Sequence, residues 1–225
     1  MTRKPMTVLA IVPVKRLDNA KSRLSSLLTD DERKQFCLKM LEDVLRTVKS
    51  TRRIHQTVVV SRDPAVLRIA EAFGVVYLKE GKTGLNEAVS EAIGWCVERR
   101  ATSIIVLPAD IPLVTPTDLS RMLSLGEKAS MVICSSRSGK GTNALLLTPP
   151  NASPTFYGSN SFQKHIQEAL KRKISLRNFS SPRIALDVDT VEDLKEFVST
   201  NAKETSAYKL LNKIGISNKL GTCDG

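Results

Sequence analysis

The sequence predicts a three-layer α/β/α domain built on a mostly parallel, mixed sheet. Three observations predict it. Apolar runs of strand length alternate with amphipathic segments along the chain. The first run, Val8 to Val12, is continuously apolar, as in a strand buried on both faces. Two runs near residues 131–147 follow one another with no helix between them, which makes the sheet mixed. The alternation implies right-handed βαβ units with helices on both faces.

The elements follow in order. Pro13 ends the strand Val8–Val12. Thr29-Asp30-Asp31-Glu32 is a capping box, and Phe36, Met40, Leu41, Val44, Leu45 and Val48 recur behind it at helical spacing. Thr57 to Val60 is a second, β-branched strand. Pro64 to Phe73 fits a helix stopped by Gly74, and Val75 to Leu78 a third strand. Leu85, Ala88, Val89, Ala92, Ile93, Cys96 and Val97 form one helical stripe, interrupted by Gly94. Ile104 to Leu107 is a fourth strand, and Thr115 caps a helix with Pro116 at its first position. Met131 to Cys134 and Ala144 to Leu147 are two more strands, followed by a helix over Phe162 to Lys171. Ile184 to Val188 is expected as a last strand, with Thr190 to Asp193 capping a last helix. This gives one domain over residues 1–200, and a polar, Lys-rich tail or docking helix over 201–225.

Composition narrows the function classes. The 225 residues are 41% hydrophobic and 25% charged, which excludes a disordered or collagen-like chain. With 4% aromatics, the core must be mostly Leu, Ile, Val and Ala. A net charge of +11 predicts polyanionic partners: nucleic acid, acidic lipid or phosphate-rich small molecules. Cys37, Cys96, Cys134 and Cys223 have neither zinc-site spacing nor the density of a disulfide framework. His55 and His165, the only histidines, lie far apart, so no histidine-rich metal centre is expected. Arg3-Lys4 before Val8–Val12 faintly imitates a signal peptide, but the run is too short and lacks a cleavage site. No stretch approaches 18 apolar residues, so a cytoplasmic, non-membrane protein is expected.

Ligands of open α/β sheets sit beyond the carboxyl ends of strands. After the first strand, Pro13-Val14-Lys15-Arg16 runs on to Lys21-Ser22-Arg23, four cations that suit either a triphosphate or a solvated basic loop. After the fourth, Asp110 stands in Leu107-Pro108-Ala109-Asp110-Ile111-Pro112-Leu113. Two prolines stiffen that turn, and a rigid carboxylate suits Mg²⁺. Thr115 is the better helix cap, so capping does not explain Asp110. At the last exit Asp187 and Asp189 are i and i+2, on one face of an extended segment. Paired carboxylates repel, and a bound cation resolves the repulsion. The glycines of Ser138-Gly139-Lys140-Gly141-Thr142-Asn143 can turn backbone N–H groups toward an anion, or simply make a hairpin. Tyr157-Gly158-Ser159-Asn160-Ser161-Phe162 precedes a helix N-terminus. In Gly84-Leu85-Asn86, Asn86 reads either as a base-edge contact or as a first-turn polar residue.

These pieces, in this order, resemble the 2-phospho-L-lactate guanylyltransferases of coenzyme F-420 biosynthesis. The motifs are Pro13-Val14-Lys15, Ala20 to Leu24, Glu32-Arg33, Gly84 to Asn86, Leu107 to Leu113, Gly141 to Ala144, Ser161-Phe162 and Asp187 to Thr190. The match runs over residues 8–198. It implies a Rossmann-like, GT-A-like nucleotidyltransferase fold. The implied reaction joins GTP and 2-phospho-L-lactate into lactyl-2-diphospho-5'-guanosine and pyrophosphate, with phosphoenolpyruvate as acceptor in some relatives. By the resemblance, Asp110, Asp187 and Asp189 hold Mg²⁺. Lys15, Lys21 and Arg23 face the triphosphate. Pro13, Gly84, Leu85 and Asn86 border the nucleotide, and Thr142, Gly158 and Ser161 bind the acceptor. A homodimer is implied as well. Sugar-nucleotide relatives usually carry a glycine-rich loop after the first strand, and Lys15 to Arg23 has no glycine, which argues against a sugar-nucleotide reading; a sugar-phosphate or molybdopterin-type nucleotidyltransferase, which shares the fold and metal logic, is the enzymatic alternative. The non-enzymatic alternative, a basic nucleic-acid-binding domain, predicts aromatics among the cations. Residues 3–53 hold 13 Lys/Arg and one aromatic, Phe36, which lies in a helical stripe. The reading is therefore an enzyme acting on phosphates, with no nucleic-acid partner.

Overall fold

The computed structural model describes residues 6–81, 84–200 and 202–221; Arg3, Lys4 and Cys223 lie outside them. Seven strands form one sheet: β1 (Val8–Pro13), β2 (Ile54–Ser61), β3 (Val76–Lys79), β4 (Ser103–Val106), β5 (Met131–Ser135), β6 (Thr142–Leu147) and β7 (Leu176–Asn178). Their order is β3-β2-β1-β4-β6-β5-β7. β2, β1 and β4 are parallel neighbours, and β6 runs antiparallel to both β4 and β5. The mixed sheet thus arises where the sequence lacks a helix, in the 131–147 hairpin. Reversal of β6 brings Thr142 and Asn143, at its start, to the edge where β1 and β4 end.

Both faces of β1 are buried, as its unbroken apolar run requires. Val8, Ala10 and Val12 join the core under α1 (Asp30–Ser50), α2 (Pro64–Ala72) and α4 (Pro116–Gly126), while Leu9 and Ile11 join the core under α3 (Leu85–Glu98) and α5 (Ser161–Lys171). The predicted capping boxes form at Thr29/Glu32 and at Thr190/Asp193, which opens α7 (Val191–Ser199), and the predicted cap at Thr115 is a third box closed by Asp118. Each satisfies two backbone N–H groups that a helix start leaves open. Gly126 is needed by packing, because a Cβ there would stand 2.3 Å from Leu146 Cδ2.

Two differences from the sequence reading have local causes. Ile184 to Val188 is not a strand: Pro182–Ala185 is a one-turn helix, α6, Leu186 after it is extended, and residues 186–189 pair with no strand. Ser181 caps the turn, Pro182 fits its first position, and the Arg183 guanidinium grips Asp118 with two 2.7 Å bonds. β7, Leu-Arg-Asn, was not expected because a short, polar edge strand carries no apolar pattern. The C-terminal stretch forms α8 (Ser206–Lys213) and α9 (Ile216–Gly221). The buried Asp43 carboxylate of α1 accepts the backbone N–H groups of Ser206 and Ala207, 2.7 and 2.9 Å away. Ala207, Leu211 and Ile216 then close a third core cluster around Phe36 and Phe197.

Candidate active site

The loop after β1 is tied down before it presents any charge. Leu17 N–H donates to Asp63, the N-cap of α2, at 2.9 Å. Burial raises the Asp63 pKa, but the N–H groups of Leu17 and Ala65 outweigh it and hold the carboxyl below its usual range. Arg33, buried at the start of α1, donates to the carbonyls of Ala20 and Leu28 from the other side. Between these anchors Lys21 adopts a left-handed backbone, φ 52° and ψ 40°, unusual for a residue with a side chain.

That backbone turns the Lys21 side chain inward. Its ammonium lies 2.7 Å from Asp110 and 3.5 Å from Asp189, with 8% of the side chain exposed. Burial opposes the charge, but the Asp110 and Asp189 carboxylates more than offset it, so Lys21 stays protonated above an ordinary lysine. Arg23 reaches the other Asp189 oxygen at 3.0 Å from a side chain that is 71% exposed. Lys15 is exposed beyond the half-buried Pro13. Cys37 packs beside Lys21, and burial pushes its thiol up to about 11.

Asp187 and Asp189 share one side of the chain although no strand forms there. Leu186 and Val188, which alternate with them, are buried, and Val188 N–H donates to the Asp110 carbonyl at 3.0 Å. One Asp187 oxygen accepts from Asn143 Nδ2 at 3.0 Å. Burial raises the Asp187 pKa, and the Asn143 bond opposes that. Asn143, which sequence reasoning passed over, also donates to the Ile184 and Ala185 carbonyls and so fixes the turn that aims Asp187. Its sequence signal is its place in the Gly141 to Ala144 motif, directly after Thr142 at a strand start.

Among the described residues no three carboxylates, histidines or cysteines close on one point. What stands there is a cation, Lys21 Nζ, between two carboxylates. The donors fit Mg²⁺ chemically: carboxylate oxygens from two chain segments, with room in a magnesium shell for water and phosphate oxygens.

The second group of candidates lies around residues 156–161. Gly158 has φ 118°, a conformation that favours glycine. Ser161 is buried at the first turn of α5, its N–H donating to the Gly158 carbonyl at 3.2 Å. Asn86 binds the backbone of Tyr157 with both amide atoms: Oδ1 accepts its N–H at 2.6 Å and Nδ2 donates to its carbonyl at 3.0 Å. Gly84, at φ 133°, caps α3 just before Leu85 and Asn86. The structure therefore links the candidate nucleotide and acceptor segments through Asn86. A cleft of about 450 Å³ lined by Gly139, Lys140, Asn160 and Lys164 adjoins this segment. A larger groove of about 730 Å³, beside Arg53, Arg121 and Phe179, contains none of the candidate residues.

With carboxylates and cations gathered at the strand exits of a doubly wound sheet, the chain has the GT-A-like fold of nucleotidyltransferases. Solved structures agree at the level of fold. A putative nucleotide-diphospho-sugar transferase from Desulfovibrio desulfuricans superposes with a TM-score of 0.78 at 14% identity, covering 96% of this chain and 99% of that one. A nucleotidyl transferase from Methanothermobacter thermautotrophicus gives 0.60 at 15% identity, over 85% and 95%. The chain belongs to the CofC-like guanylyl transferase family, whose model matches residues 8–223. A phosphoenolpyruvate guanylyltransferase of Rubrobacter xylanophilus is 40% identical over 190 residues, 84% of this chain and 92% of its own. A 2-phospho-L-lactate guanylyltransferase of Methanothermobacter thermautotrophicus is 37% identical over 210 residues, 93% and 92%. No helix among the described residues is long and apolar enough to cross a membrane.

Proposed function

We propose that the enzyme transfers the guanylyl group of GTP to the phosphate of 2-phospho-L-lactate, releasing pyrophosphate, as a step towards coenzyme F-420. The supporting observation is the buried Lys21 ammonium between Asp110 and Asp189 at the strand exits. The acceptor phosphate is already an oxyanion, so attack on the α-phosphorus needs no general base. The obstacle is repulsion between two anions and their alignment. Lys21, Arg23 and Lys15 answer the first by facing the triphosphate and the departing pyrophosphate. Thr142, Gly158 and Ser161 answer the second by fixing the acceptor. Asn86 borders the nucleotide and holds the acceptor segment through Tyr157. Asp110, Asp187 and Asp189 are the carboxylates that would hold Mg²⁺, which when bound supplies positive charge to the phosphate oxygens.

Phosphoenolpyruvate is the second reading. It differs from phospholactate by two hydrogens, and a relative named for it is 40% identical. The family resemblance also supports a cytoplasmic homodimer. Pyrophosphate release, followed with each nucleoside triphosphate against both acceptors with and without EDTA, tests these readings together. Release only with GTP and one acceptor, abolished by EDTA, is expected. Release with sugar phosphates instead would overturn the proposal.

A further inference from the structure

The mechanism uses neither histidine, yet His165 is fully buried at the centre of the candidate acceptor segments. Its Nε2 accepts the backbone N–H of Phe156 at 2.9 Å, and its Nδ1 lies 3.1 Å from Thr142 Oγ1. The rings of Phe156 and Tyr157 meet it edge-on, at centroid distances of 5.8 and 5.4 Å. The ring sits on α5, one turn after Ser161. One imidazole therefore touches β6, the 156–158 segment and α5, the three pieces that carry Thr142, Gly158 and Ser161.

The backbone fixes the tautomer. An N–H pointing at Nε2 demands a lone pair there, so the single ring proton of the neutral form is on Nδ1. Nδ1–H then donates to Thr142 Oγ1, sharing its proton with the Ser161 carbonyl one turn back on α5. The Thr142 hydroxyl, with that lone pair occupied, is left to give its own proton elsewhere. We propose that His165 is a positioning residue of the acceptor pocket, holding Thr142 as a hydrogen-bond donor towards the anionic acceptor and the 156–158 segment in register with it. The inference rests on the acceptor-pocket reading above. An imidazolium would set Nε2–H against the Phe156 N–H. Burial acts in the same sense and lowers the ring to about 4, so it stays neutral in the working range.

The test has two arms. Nitrogen-15 NMR of the wild-type histidine rings needs no variant. His165 is expected as the neutral Nδ1–H tautomer at pH 7. His55, whose Nδ1 accepts from Val8 N–H at 3.1 Å, provides the opposite tautomer as internal reference. An Nε2–H or doubly protonated His165 would overturn the inference. The second arm is steady-state kinetics with GTP and with 2-phospho-L-lactate or phosphoenolpyruvate varied separately. His165→Phe keeps the ring volume and the aromatic contacts. It is expected to raise the acceptor KM about tenfold or more, as loss of a hydrogen bond to a charged group does, with the GTP KM within about twofold. Thr142→Val should do the same, and the double variant should be no worse than the stronger single, since both remove one donor. Equal rises in both KM values, or additive effects, would reduce His165 to a packing residue. A raised acceptor KM in Thr142→Val with an unchanged one in folded His165→Phe would overturn this inference alone. An unchanged acceptor KM in Thr142→Val would remove the pocket itself, and the inference with it. If His165→Phe fails to fold, the wild-type tautomer decides.

Discussion

The two halves of the site are held together by different physics. Around Lys21 the bonds are ionic: one buried ammonium, an exposed guanidinium and two carboxylates. Around Tyr157 they are neutral: an asparagine amide, an imidazole and a hydroxyl. The first arrangement can exchange its partners when a triphosphate or a metal arrives, because charges are satisfied by any counter-charge at the right place. The second cannot, since three of its bonds fix particular backbone groups: Asn86 holds the N–H and C=O of Tyr157, and His165 holds the N–H of Phe156. The difference suits a site with one mobile, highly charged substrate and one small acceptor that must be aligned within a fraction of an ångström.

Four substitutions and one titration would break or sharpen that contrast. The largest effect is expected from Asp110→Asn, which weakens the main partner of a buried ammonium and a charge acting on the transition state. Turnover should fall roughly 10²-fold or more, with the fold retained by circular dichroism. Near-normal turnover would take Asp110 out of the chemistry. Lys21→Ala should lower kcat/KM for GTP by about 10²-fold and spare the acceptor KM, because only the ionic half is touched. Asn86→Ala should do the reverse of what a purely nucleotide-binding role predicts: a rise of about tenfold in the acceptor KM, through release of Tyr157. A change in the GTP KM alone would return Asn86 to the nucleotide.

The neutral half carries a pH signature. The His165 ring ionises near 4 in the fold against 6.5 when free, so the unfolded chain binds more protons between those values. Its contribution is complete above about 6.5 and is lost as the pH falls towards 4. Urea midpoints of wild type and His165→Phe should therefore converge on acidification, and a constant gap would contradict a buried neutral ring. The smallest effect is reserved for Arg23→Ala. Its exposed pair with Asp189 should be worth less than about 1 kcal/mol of stability, while GTP use falls and grows more salt-sensitive.

How legible the site was depended on the range of the interactions. Lys21, Arg23, Asp110, Asp187 and Asp189 stood out because charges at strand exits are informative one strand at a time. Leu186 to Asp189 kept its in–out alternation without a partner strand, so the shared face of the two carboxylates survived the loss of the expected β-strand. Asn143, His165 and Asp63 did not stand out. Each acts on backbone groups that only the fold brings near, as Asn143 does on the Ile184 carbonyl, His165 on the Phe156 N–H and Asp63 on the Leu17 N–H. A lone buried histidine on a helix has no local pattern to distinguish it from any other core residue.

By itself the sequence determined the alternation of strands and helices, the helix caps at Thr29, Thr115 and Thr190, the mixed character of the sheet and the family. These follow from residues within a few positions of one another, where periodicity and capping act. The tertiary structure decided the strand order, the helical turn at Pro182–Ala185, the docking of α8 on Asp43, the left-handed Lys21 and the proton position on His165. The reason is physical: Lys21 meets Asp110 across 89 residues and Asp189 across 168. Such contacts are set by which strands become neighbours, and that is settled only when the whole core packs.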